Sequence, residues 1–81
     1  MRKLKYVIVE TMGVLVPIMF DTLLMHSTFR NYKVKSAGFV SFWANDKGQR
    51  QVDVWGESVT LGIASKPTDA DIIKRALDRT Y

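Results

Sequence analysis

Few residues in this chain are of a type that does covalent chemistry, and they are sparsely spaced. His26 is the only histidine. As a general base or metal ligand it needs an oriented partner, and the nearest acid in sequence is Asp21. The competing role is a packing or loop histidine, which asks for no partner. Asp69 and Asp71 form an Asp-x-Asp whose oxygens suit a divalent cation. The same spacing also suits the first turn of a helix, where acids complement the dipole, and this explanation is the simpler one. Ser58 follows Gly56-Glu57 with no base close in sequence, and neither a nucleophile elbow nor a phosphate loop is present. Cysteine is absent, which removes thiol nucleophiles, thiolate zinc sites and disulfides together. The inventory argues against an enzyme and calls for no cofactor and no metal.

Binding is the chemistry that remains. Phe39, Trp43 and Trp55 are expected on one sheet face, with Arg50, Lys47 and Lys35 as flanking cations. Aromatic and arginine side chains dominate protein-binding hot spots. A basic aromatic sheet also stacks single-stranded bases. Asp53 and Glu57 belong to the same face and favour a protein partner over nucleic acid. The alternative, in which the terminal helix or the amino-terminal hairpin covers these rings, stays open at this point.

The element that positions these aromatics is a long hairpin over residues 37–62. Asp46-Lys47-Gly48 reads as a three-residue turn with glycine at the left-handed position. Counting outward sets Asn45 opposite Gln49, Phe42 opposite Val52, Val40 opposite Val54 and Gly38 opposite Gly56. One face then carries Val40, Phe42, Val52 and Val54, a core surface at period two. The other carries Phe39, Ser41 and Trp43 opposite Trp55, Asp53 and Gln51. The facing glycines predict a dent that another element or chain can approach closely.

Residues 4–10 and 14–20 read as two further strands around a turn at Thr11-Met12-Gly13. Pro17 consigns the second to an edge or a bulge. Asp21 is expected to cap a short helical turn through Leu23, Leu24 and Met25, followed by a loop over 26–32. Residues 33–45 and 49–61 are the hairpin strands. Pro67, with Thr68 and Asp71 as a capping-box-like pair, opens a final helix. Ile72, Ile73, Ala76 and Leu77 give it one apolar stripe, while Lys74, Arg75, Asp78 and Arg79 point away. The expected fold is α+β, in the order ββαββα, with a four-stranded antiparallel sheet and the last helix across one face.

Eighty-one residues, 47% hydrophobic and 25% charged, suit one small globular domain. The surplus of apolar and aromatic surface predicts a homodimer. A net charge of +4 attracts polyanions weakly, but no compact basic stripe marks a nucleic-acid site. Arg2, Lys3 and Lys5 before an apolar run mimic a signal peptide, yet Glu10 interrupts the run and no small-x-small site follows Phe20. The uncharged stretch 11–20 is too short to cross a bilayer, and the cysteine-free chain points to a reducing cytoplasm.

Three phrases carry a resemblance: Ser36-Ala37-Gly38-Phe39-Val40, Gly56-Glu57-Ser58-Val59-Thr60-Leu61-Gly62 and Ser65-Lys66-Pro67-Thr68-Asp69-Ala70-Asp71-Ile72-Ile73. Together they resemble small uncharacterised proteins encoded by bacteriophages and prophages, over about the carboxy-terminal half. The resemblance implies a phage or prophage setting and no activity, and it transfers no functional residue. By analogy of context, proteins of this kind bind a host protein such as a defence complex, polymerase or protease.

Overall fold

Tyr6, Val7, Ile8 and Val9 are consecutive and all at most 5% exposed, so the strand that holds them must be covered on both faces. The computed structural model, which describes residues 2–80, puts that strand inside the sheet. β1 (Arg2–Thr11) lies between β2 (Val14–Phe20) and β3 (Val34–Ala44), and β4 (Arg50–Trp55) forms the far edge. All three pairings are antiparallel. The helix α1 (Asp69–Thr80) covers one face, with Ile73 packed on Tyr6, Ile8 and Val40 and with Ile72 and Leu77 beside it. The other face carries Val7, Val9, Phe20 and Ala37. Phe29 covers them from a 3-10 turn (His26–Phe29), and Leu61 and Ile63 do so from a small hairpin of β5 (Glu57–Ser58) and β6 (Ile63–Ala64).

The hairpin register is the expected one: Phe42 faces Val52, Val40 faces Val54 and Phe39 faces Trp55. Gly48 is left-handed at φ +74°, and the Asn45 side-chain oxygen accepts the N–H groups of Lys47 and Gln49. The second strand ends at Trp55 rather than at 61, because Gly56 at φ +78° turns the chain away into β5. The glycine dent is filled from within the chain. A Cβ on Gly38 would lie 2.5 Å from the Trp55 carbonyl oxygen and 3.1 Å from Ser65 Cβ.

The order ββαββα does not hold, since α1 is the one α-helix among the described residues. Asp21 does cap a turn: its Oδ1 accepts from Leu23 N at 2.8 Å and its carbonyl from Leu24 N at 3.0 Å. The turn goes no further. Leu23, Leu24 and Met25 are all exposed, so no tertiary packing offsets the cost of helix nucleation. The 3-10 turn forms one step later, within the stretch expected to be a loop, where buried His26 and half-buried Phe29 do find partners.

Pro17 sits on an edge strand, as its missing donor requires. Met12 and Gly13, both at positive φ (52° and 76°), make the two-residue turn between Thr11 and Val14. Such a turn makes its flanking pair a hydrogen-bonded one, and the pair type then alternates. Ile8↔Pro17 is therefore a non-hydrogen-bonded pair, and the absent N–H of Pro17 points to the open edge.

Candidate functional site

Period-two alternation puts Phe39, Trp43 and Trp55 on the face away from α1, with Phe39 at the end that meets the 3-10 turn. Phe39 and Trp55 are directly opposite, and their rings stack at 6.0 Å and 22°. Trp43 holds the other end of the face. Its indole N–H donates to Asp53 Oδ2 at 2.9 Å, which fixes the ring against the sheet. The two tryptophans remain 42% and 41% exposed, so neither is a covered core residue.

Phe39 is supported from below and from the side. His26 meets it edge-on at 6.0 Å, and the His26 Nε2 donates to the Gly38 carbonyl at 2.9 Å. The ring is buried against Phe20 as well, which makes this histidine a packing group that seats the 3-10 turn on β3. Lys3 Nζ stands 5.1 Å above the Phe39 centroid, within cation–π range. The β1–β3 register explains it: Lys3 lies opposite Ser41, and Lys5 lies opposite Phe39. Lys5 itself is tied down, donating to the Leu24 carbonyl at 2.7 Å.

Of the cations expected around the aromatics, Lys47 stays at the Trp43 end, whereas Arg50 and Lys35 reach toward acids outside the face. Arg50 alternates with Val52 onto the helix side and reaches Asp78 Oδ1 at 3.2 Å. Lys35 occupies the β-bulge near the start of β3, with its ammonium 3.9 Å from Glu10, whose other oxygen takes Lys33 at 2.6 Å. The hydrogen bond and charge of Lys33 hold the Glu10 carboxyl below the usual range. Lys47 is at the hairpin tip, nearest the Trp43 end. Lys3 and the Trp43–Asp53 hydrogen bond are what the structure adds. Lys3 was hidden because its place depends on which strand β1 pairs with.

The Asp-x-Asp pair divides. Asp71 is exposed, whereas Asp69 is 1% exposed and accepts three hydrogen bonds: Tyr6 Oη at 2.5 Å, Ser36 Oγ at 2.8 Å and Lys66 N at 2.9 Å. Burial first, and then the Asp69 hydrogen bond, push the Tyr6 phenol well above its ordinary pKa. This cluster pins the start of α1 to β1 and β3 and is closed to solvent. Among the described residues no three metal-ligating side chains converge, and no helix is long and apolar enough to cross a membrane. Compared with known proteins, the chain matches no family model, no curated sequence and no solved structure.

Proposed function

We propose that this chain is a non-enzymatic phage or prophage accessory protein that binds a host protein in the host cytoplasm, a defence complex being the target class, and that Phe39, Trp43 and Trp55 form the docking face. The observation that carries this reading is the pair of half-exposed tryptophans on one face, each held by a named neighbour. Rings ordered before binding lose little freedom on docking, which is why such residues make hot spots. Lys3 and Asp53 put both charge signs beside the rings and suit a protein surface better than a polyanion. An aromatic nucleic-acid face is the alternative, and a steep fall of affinity with salt would mark it. The test is affinity capture from host lysate with the tagged protein and with a folded Trp43→Ala, Trp55→Ala variant. A specific partner lost by the variant supports the reading. Equal recovery by the variant rejects this face, and no specific partner at all rejects the class.

Self-association is the second part of the proposal, and the open β4 edge favours it. Asn45 N donates to Gln49 O, so Gln51, Asp53 and Trp55 hydrogen-bond inward to β3, and Val52 and Val54 turn their backbone groups outward. Pro17 blocks the β2 edge in the corresponding direction, but no proline guards β4. A two-fold β4–β4 pairing centred on Val52 sets Gln51 against Asp53, whereas a centre at Asp53 would oppose two acids. Light scattering is expected to give a dimer mass for the parent and a monomer mass for Val52→Pro. A monomeric parent at about 100 µM, well above the weak-dimer range, removes this part.

A further inference from the structure

On the helix side of the sheet, away from the aromatic face, β2 and α1 leave a groove of about 580 Å³ between them. Its floor is Leu15 and Pro17, which share the helix side with Ile8 by register, and its wall is Ile72 and Ala76. Arg75 and Arg79 complete the lining, and the four helix residues fall at i, i+3, i+4 and i+7, one continuous stripe. Period alone sent both arginines to the solvated face, but they stand where an apolar groove meets solvent.

We propose that this groove binds a small anion-headed aliphatic molecule, with a carboxylate held by Arg75 and Arg79 and the hydrocarbon laid on Leu15, Pro17, Ile72 and Ala76. Three observations carry it. First, neither guanidinium makes an ion pair or hydrogen bond among the described residues, and the nearby acid Asp78 is engaged by Arg50 at 3.2 Å. Two adjacent exposed arginines repel each other, and a shared carboxylate relieves that while using their bidentate geometry. Second, the volume lies within the range of small-ligand sites, and its lining is apolar except for that pair. Third, Pro17 removes the outward N–H that an extended peptide would need to add to β2, so the occupant is a compact molecule rather than a strand. An apolar floor also distinguishes the site from a phosphate-backbone track, which needs charge alone.

The inference is independent of the host-protein reading and is tested with octanoate and octan-1-ol, which share a chain and differ in the head. In amide NMR titrations octanoate is expected to give saturable shifts at residues 14–17 and 72–79, with octan-1-ol weaker at the same place. Arg75→Gln with Arg79→Gln, both at exposed positions, is expected to weaken octanoate at least about tenfold and leave octan-1-ol unchanged. Ala76→Trp, which fills the groove, is expected to abolish both, with thermal melts confirming that each variant is folded. Absence of saturable shifts up to millimolar octanoate overturns the proposal. So do shifts centred on Trp43 and Trp55, or equal octanoate affinity in the double arginine variant.

Discussion

Gly38→Ala is the substitution for which the structure gives the sharpest number. The added Cβ would sit 2.5 Å from the Trp55 carbonyl oxygen, about 1 Å inside an ordinary van der Waals separation. The group in the way is backbone and cannot rotate aside. Nor can the surroundings drift easily, because His26 holds the Gly38 carbonyl at 2.9 Å and Ser65 N holds the Gly56 carbonyl at 3.0 Å. Overpacking against a fixed neighbour costs typically about 1–3 kcal/mol, and this geometry belongs at the upper end, ~3 kcal/mol. For a domain of this size that is a fall of roughly 12–24 °C in Tm. Gly48→Ala is the control: nothing lies within 4 Å of its Cβ, and only its φ of +74° penalises it, by about 1 kcal/mol. Thermal and urea unfolding of both variants measure the difference, and tryptophan emission reports whether Trp55 has moved. A Gly38→Ala protein within 0.5 kcal/mol of the parent, or equal to Gly48→Ala, would refute the close approach of β3 and β4 on which the aromatic face depends.

Other outcomes follow from the buried cluster and the first turn. Asp69→Ala leaves the donors of Tyr6, Ser36 and Lys66 without their acceptor and is expected to cost about 3–5 kcal/mol, against about 1–2 for Tyr6→Phe, in urea unfolding. Because the folded pKa of Tyr6 is raised above its unfolded value of about 10, its contribution is complete below that pH and is lost as pH rises beyond it. The parent should therefore lose stability above about pH 10 with a slope that Tyr6→Phe lacks, and parallel curves for the two would contradict this. Met12, 99% exposed at φ 52°, is a strained residue in a turn that favours asparagine; Met12→Asn is expected to raise stability by about 0.5–1 kcal/mol, read from the urea midpoint.

The hairpin is legible because its turn carries its own signal, a glycine at the left-handed position 48, and because valine alternation then leaves one register. The final helix is legible from Pro67 just before its start and from its apolar stripe. The short helix after Asp21 failed for the opposite reason. Its signal was local, whereas a turn with exposed leucines has no tertiary surface to extend it. The end of β4 was missed because Gly56 reads equally well as a strand residue or a bend until its neighbours are placed. Of the candidate face, the three aromatics follow from period two alone. The cations do not: Arg50 lies one residue out of phase, Lys35 falls in a bulge, and Lys3 reaches the face only through the β1–β3 pairing. That pairing is a long-range choice with no mark in the local pattern. Asp69 reads as a helix-end acid for a related reason, since its partners Tyr6 and Ser36 lie 63 and 33 residues away in sequence.

The central claim is that the face bearing Trp43 and Trp55 binds a protein, and the most direct measurement is calorimetry with the partner recovered by affinity capture. Parent and Trp43→Ala, Trp55→Ala proteins of equal Tm would be titrated side by side. A hot spot predicts a loss of at least about 2 kcal/mol, a rise in Kd of roughly thirtyfold. An unchanged Kd in the folded double variant would contradict the account.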